Sequence, residues 1–264
     1  MVTMTKTSLG RHVFGLAAIL FGAVSFVWHD FNAPWQQMQA LGNVPHLEIL
    51  VYIAAAIEVF GGVAIQWRKT ARTGALALGI IFFVFTLFWI PRVVAEPLVY
   101  DRYGNVFEQL SLVAGALIVY GIFSGRVSNH GTRISRAGQA LFAICIVSFT
   151  LQQLFYLSAT ASFVPKWIPP GQMFWSIATT IFFALAAAAL LSGRFSLLAS
   201  RLVVAMILGF QFLIWLPAVF ANPHQLMNWG GNAENLAIAG AAWILADFLG
   251  QGVGTQQSAL ARAA

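Results

Sequence analysis

Charged residues are scarce in this sequence. Asp, Glu, Lys and Arg make up 8% of the 264 residues, against about 25% in an ordinary soluble domain. Since 59% of the residues are hydrophobic, the chain lacks the polar side chains to cover one or two soluble domains, and a soluble globular protein is excluded. In a soluble protein the net charge of +6 would suggest nucleic-acid binding. In this apolar chain the positions of the basic residues matter more than their sum, and no nucleic-acid partner is expected.

Cysteine is almost absent as well, because Cys145 is the only one. A single cysteine cannot form an intrachain disulfide, a Cys-x-x-Cys pair or a zinc cage, so the chain cannot act by itself as a dithiol oxidoreductase. The sequence also lacks a nucleotide-binding fingerprint, a phosphate-binding glycine loop and a serine nucleophile with a histidine base. No two histidines lie at matching depth in the middle of the membrane, so a bis-histidine haem site is not expected.

Long apolar stretches are what the sequence has in abundance. A helix needs about 20 residues to cross a hydrocarbon layer of about 30 Å, and eight stretches are long enough. The sequence therefore predicts an all-α polytopic integral membrane protein. The predicted spans lie near residues 11–29, 47–67, 73–95, 105–123, 136–157, 172–192, 197–220 and 233–250.

The basic residues predict the orientation. The first span is not expected to be a cleaved signal, because it ends in large aromatic residues rather than small ones. With eight spans both termini lie on one side, and eleven basic residues then share that side against three on the other, which the positive-inside rule assigns to the cytoplasm. We expect a multi-pass protein of the inner (cytoplasmic) membrane with both termini inside. The three outer residues are Arg92, Arg102 and Lys166.

The chain also repeats itself at an interval of 126 residues. Trp89-Ile90-Pro91 and Glu108 correspond to Trp215-Leu216-Pro217 and Glu234. This repeat predicts two fused four-helix bundles that enter the membrane in the same direction, related by a pseudo-twofold axis along its normal. The predicted boundaries are a unit over 1–123, a cytoplasmic linker over 124–135, a unit over 136–250 and a disordered cytoplasmic tail over 251–264.

Glu58 is the strongest single candidate for a functional residue, because it lies near the middle of the second span. Inserting a charged side chain at that depth costs about 2.5 to 3.5 kcal/mol of free energy. Protonation of the carboxyl, pairing with a cation such as Arg92, or contact with a water-filled cavity would reduce this cost. Glu58 is therefore either a proton-accepting or ligand-orienting group or a protonated side chain bonded to a neighbouring helix. With Arg92 and Glu108 it forms the candidate proton or ligand site.

Glu234 and two histidine-containing pairs are weaker candidates. Like Glu108 in the first unit, Glu234 begins the last span of its unit, where a carboxylate also complements the helix N-terminus. His29-Asp30 ends the first span and His46-x-Glu48 precedes or opens the second, so we expect both pairs at the same depth on the outer side of the membrane. Imidazole and carboxylate groups suit several divalent metals, but neither pair has a recognised ligand spacing, and no metal site is predicted.

The acidic motifs resemble those of the DoxX-like membrane protein family. Glu58-Val59-Phe60-Gly61-Gly62 matches its second-span element, and Gly104-Asn105-Val106-Phe107-Glu108 matches the opening of its fourth span. The resemblance covers most of residues 10–123 and more weakly 135–250, where only Glu234 survives of the acidic pair. It implies a compact four-helix unit in a quinone-linked or oxidative-stress redox system, with quinone as the implied cofactor and a partner protein supplying the redox centre.

Other functions stay open beside this one. The chain could be a small-molecule or lipid-binding transporter, or a non-catalytic membrane scaffold, and the residues do not decide whether it is an enzyme. A transporter needs polar residues on facing surfaces of both halves. The good candidates in the second half are Gln152, Gln153 and Gln211, an asymmetry that counts against a symmetric alternating-access carrier.

Overall fold

The protein is a bundle of long helices. The computed structural model describes residues 8–31, 36, 46–124 and 129–263, with the backbone alone for residues 129 and 252–263. This part of the chain contains no strand, and eight of its helices are long and apolar enough to cross a membrane. The prediction of an all-α polytopic membrane protein is confirmed.

The helices follow the predicted spans closely. Each unit contributes four long helices, and the second unit adds short helices at one end and a π-helical turn. In chain order the elements are α1 Leu9–Trp28, α2 Leu47–Ala64, α3 Ala71–Ala95, α4 Tyr100–Phe123, α5 Asn129–Phe155, α6 Leu157–Phe163, α7 Gln172–Ser192, α8 Ser196–Phe210, the π-turn Gln211–Trp215, α9 Leu216–Ala221 and α10 Leu226–Ala263.

The alternating helix directions give the bundle two distinct ends. We call the end formed by residues 28–31, 96–99, 164–171 and 222–225 the tryptophan-rich end, because Trp28, Trp167 and Trp229 lie in or beside it. The end formed by residues 8–11, 65–72 and 193–201 is the arginine-rich end. The two termini of the described chain lie at the arginine-rich end.

Helix contacts run around the molecule in chain order. Within the first unit α1 packs on α2, α2 on α3 and α3 on α4, and in the second unit α5, α7, α8 and α10 pack in the same succession. The fourth helix of each unit also packs on the first helix of the other, α4 on α5 and α10 on α1, and α4 contacts α10. The two units therefore share α4 and α10 as a common centre.

Glycines let these shared helices approach closely. A side chain at Gly10 in α1 would overlap the backbone of Trp243 and Ile244 in α10, and one at Gly240 in α10 would overlap the backbone of Phe14. The equivalent contact between α4 and α5 uses Gly138, beside the backbone of α4. In lipid the hydrophobic effect does not drive helices together, so their association depends on close van der Waals packing, which small residues at the contacts allow.

Two segments are more helical than the sequence indicated. Helix α5 begins at Asn129 and so takes up most of the predicted linker, because Ser135 packs against α4 and donates a hydrogen bond to the carbonyl of Ile118 at 3.1 Å. Helix α10 continues to Ala263 through the predicted disordered tail. Residues 259–263 are rich in Ala, Leu and Arg, which favour helix once one has been nucleated.

Candidate functional site

Glu58 lies in the core of the first unit. Its side chain is fully buried, and its Oε1 accepts a hydrogen bond of 2.8 Å from Nε2 of Gln36. The other oxygen, Oε2, is buried and has no hydrogen-bond partner among the described residues. The glycines of the Glu58 motif have a packing role, since Gly62 meets the α1 backbone at Gly15 and Gly61 meets α3.

Arg92 is not the counter-ion that the sequence suggested for Glu58. It is half-buried in the last turn of α3. Ion pairs within the described chain join His46 to Glu48 and Arg102 to both Glu96 and Asp101, and Arg92 takes part in none of them. The polar partner of Glu58 is therefore an amide and not a cation.

Glu108 and Glu234 meet at the centre of the molecule. Each lies eight residues after the start of its helix, α4 or α10, which is about 12 Å along the axis at 1.5 Å per residue. Nε2 of Gln109, beside Glu108, faces the Glu234 carboxyl at 3.4 and 3.5 Å. The structure thus brings Glu108 and Glu234, which the sequence placed in separate units, to the lining of one cavity.

The histidine pairs lie apart from this centre. Nδ1 of His29 and the hydroxyl of Tyr52 are 2.7 Å apart, and Asp30 accepts a hydrogen bond from the backbone N–H of Phe31 at 2.7 Å. His46 and Glu48 are exposed, with 3.7 Å between Nδ1 and Oε1. Throughout the described ranges no three His, Cys, Asp or Glu side chains come together as metal ligands.

Two adjoining cavities open between α4 of the first unit and the helices of the second unit, and we call them together the cavity of the C-terminal unit because that unit provides most of the lining. The upper one, at the tryptophan-rich end, has a volume of about 460 Å³ and lies between α4, α5, α6, α7 and the π-turn. The lower one, of about 160 Å³, leads down to Glu234 and Asn235. Because five residues line both, they form one path from the tryptophan-rich end to the central carboxyl groups. The shared residues are Glu108, Gln152, Gln153, Phe210 and Trp215.

Amide side chains line the wall of this path that α5 provides. Gln152 packs where Gly104 of α4 has no side chain, and its Nε2 donates to Oδ1 of Asp101 at 3.2 Å. Its Oε1 is buried without a hydrogen-bond partner in the described chain. Gln153 accepts at Oε1 from the hydroxyls of Thr179 and Thr180, both at 3.1 Å, which fixes its amide so that the NH2 group remains available.

The opposite wall is shaped by the π-turn. Here the backbone N–H of Leu216 bonds to the carbonyl of Gln211, five residues earlier. Oε1 of Gln211 accepts from Nδ2 of Asn235 at 2.7 Å, and its Nε2 donates to Oδ1 of Asn232 at 2.5 Å. Single π-turns within α-helices occur often at functional sites. The sequence analysis did not predict this network. The sign of it was a polar pair on one face of a helix, Asn232 and Asn235, in the same unit as Gln211.

The two halves differ at equivalent positions. Phe85 stands 126 residues before Gln211, and Val106 before Asn232. In the first unit the side chains of Phe85 and Trp89 are buried in the core, where further phenylalanines are also fully buried. In the second unit the equivalent tryptophan, Trp215, lies against Gly231 and lines both cavities. Aromatic side chains fill the first unit, whereas the second unit borders a cavity that is lined by apolar side chains and a few polar groups.

Fold and site together define a class: a polytopic, all-helical membrane protein with a cavity that leads to the carboxyl groups of Glu108 and Glu234. Comparison of the chain with models of protein families, with curated proteins and with solved structures gives no match.

Proposed function

We propose that this protein binds an amphipathic small molecule between α4 and the helices of its C-terminal unit. The observation that carries the proposal is the pair of adjoining cavities that leads from the tryptophan-rich end to Glu108 and Glu234. A mostly apolar cavity with a few converging polar groups is the usual form of a small-molecule site. Apolar residues such as Phe210 and Trp215 would hold the body of the ligand, and the carboxyl and amide groups would orient its head.

We place the tryptophan-rich end on the outer face of the cytoplasmic membrane, because most basic residues lie at the opposite end or in its loops. The ligand then enters from the outer side or from the outer leaflet. A binding protein or a small transporter would both use this path. Because Glu108 lines both cavities and Glu58 lines neither, we favour Glu108 over Glu58 as the ligand-binding carboxyl.

The redox function that the DoxX-like resemblance implies is a second candidate. The NH2 group of Gln153, free of partners among the described residues, is suited to donate a hydrogen bond to a quinone carbonyl. In this version the protein is the membrane component of a quinone-linked or oxidative-stress system and a partner protein supplies the redox centre. Glu58, Arg92 and Glu108 are then the candidate proton or ligand groups.

A cavity-filling variant tests the first proposal. Ala159 in α6 lines the upper cavity, whereas its neighbour Ser158 does not. We expect a discrete small molecule to co-purify with the wild type and with Ser158→Trp in lipid discs, and its occupancy to fall at least tenfold in Ala159→Trp. Mass spectrometry of the extracted discs measures this. Recovery of bulk lipid alone from all three proteins would refute the proposal.

Decylubiquinone binding separates the two candidates. If the ligand is a quinone, equilibrium dialysis with the discs should show saturable binding that Gln153→Leu weakens and Ser158→Trp leaves unchanged. Saturable binding of another co-purifying molecule, with none of decylubiquinone, would favour the binding protein or transporter.

A further inference from the structure

We propose that the cavity of the C-terminal unit selects a lipophilic organic cation, such as an amine or quaternary ammonium group on an apolar body. This inference rests on the proposed function, since it names the chemical class of the ligand for the same cavity. It is carried by the charges and the aromatic rings that line the cavity.

The ionisable residues of the lining are all acidic. Asp101 and Glu108 line the upper cavity and Glu108 and Glu234 the lower one, and no Lys, Arg or His is among the described lining residues of either. An anionic ligand would meet repulsion along the whole path. A cationic group would meet attraction, which is strong where surrounding apolar walls keep water out.

Glu108 is the carboxyl best placed for the cation. Asp101, at the mouth, already pairs with Arg102 at 2.9 Å, and Glu96 binds the same guanidinium at 2.6 Å. Glu234 lies deeper and faces the amide of Gln109. Glu108 lines both cavities where they join, so a charged head beside it leaves the larger upper cavity for the apolar body.

Aromatic rings complete the site. Phe210 and Trp215 line both cavities beside Glu108, and Phe163 and Trp175 line the upper one. The faces of aromatic rings attract cations, and proteins use such rings to recognise quaternary ammonium groups. Because the Trp215 indole lies against Gly231, which has no side chain, its position in the wall is fixed by packing.

A neutral ligand would use the cavity less completely. Its body could fill the apolar volume and its carbonyl could bind Gln153, but it would gain no electrostatic attraction from the acidic groups Asp101, Glu108 and Glu234 that line the path. The cation is therefore the ligand that matches both the aromatic walls and the carboxyl.

A matched pair of probes tests the inference. Benzyltrimethylammonium and its neutral isostere neopentylbenzene share one shape and differ in charge. Equilibrium dialysis against the protein in phosphatidylcholine discs, with empty discs subtracted, should give at least tenfold tighter binding of the cation. Glu108→Gln should abolish this preference, whereas Glu108→Asp, which keeps the charge, should retain most of it. The control Glu48→Gln removes an exposed carboxyl outside the cavity and should leave the preference unchanged.

Each other result overturns the inference. Equal binding of both probes to the wild type would leave small-molecule binding standing and show that charge is not selected. If neither probe binds, the cation is wrong, and the co-purification experiment decides separately whether the proposed function fails with it. If Glu108→Gln does not fold, Trp215→Leu serves in its place, and an unchanged preference for the cation in that variant would contradict the aromatic site.

Discussion

The contact between α1 and α10 gives a quantitative prediction. A Cβ atom added at Gly240 would lie 2.6 Å from both N and Cα of Phe14, whereas ordinary van der Waals contact begins at 3.4 Å. The two helices must therefore separate by about 0.8 Å, because backbone atoms cannot rotate away as a side chain would. Overpacking of this kind costs about 1 to 3 kcal/mol, and we expect Gly240→Ala to be less stable by that amount than a glycine-to-alanine variant that meets no overlap.

Gly209→Ala is the matched control. Gly209 lies near the end of α8 and has no neighbouring atom within 4 Å of an added Cβ. Replacing a helical glycine with alanine gains about 0.5 to 1 kcal/mol from backbone entropy at either position, so the difference between the two variants reports the overlap alone. On the scale of globular proteins of similar length, Gly240→Ala should unfold about 2 to 12 °C below Gly209→Ala.

The single cysteine provides the assay. Cys145 is fully buried in α5, so a fluorogenic maleimide reacts with it when the protein unfolds. Heating wild type and both variants in the same mild detergent gives the three unfolding temperatures. If Gly240→Ala unfolds no lower than Gly209→Ala, the close approach of α1 and α10 is wrong, and with it the shared centre of the two units.

Three further predictions concern burial, the amide network and orientation. Cys145 of the folded protein should resist a membrane-permeant maleimide at room temperature and react fully in denaturant, and rapid native labelling would contradict its burial. Gln211→Leu and Asn235→Leu should each destabilise the protein, with a coupling of about 0.6 to 1.7 kcal/mol in a double-mutant cycle, and purely additive effects would argue against their 2.7 Å hydrogen bond. In a Cys145→Ser background, an impermeant maleimide should label Lys166→Cys in intact cells but Arg194→Cys only after lysis, and the reverse pattern would overturn the orientation.

The sequence predicted the helices well because hydropathy and helix length are properties of a chain segment. The scarcity of charge and the run of apolar residues locate each span along the chain, and the structure has all eight. Glu108 and Glu234 could be matched through the 126-residue repeat. Their meeting at the centre could not be foreseen, because a repeat gives equivalence of position but not which helix of one unit packs on which helix of the other.

The cavity could not be predicted from the sequence for a related reason. Pro91 and Pro217 follow the same tryptophan motif, and nothing local distinguishes them. In the structure α3 remains α-helical through Pro91, whereas a π-turn begins at Gln211, six residues before Pro217. That difference accompanies a side-chain network with α10, a neighbour far away in the sequence, and the partner of Glu58 was likewise misjudged because Gln36 comes from outside the spans.

The contrast between the halves connects the duplication to the proposed function. Beside Glu58 the first unit provides its own hydrogen-bond partner, Gln36, and packs buried aromatic rings such as Phe85 around the core. Beside Glu108 the second unit has a cavity instead, with Gln211 in place of the phenylalanine. Glu58 is enclosed by its own unit, whereas Glu108 lines a path that a ligand can enter. The proposed binding site therefore lies where a polar side-chain network takes the place of the aromatic core, beside the shared helices α4 and α10.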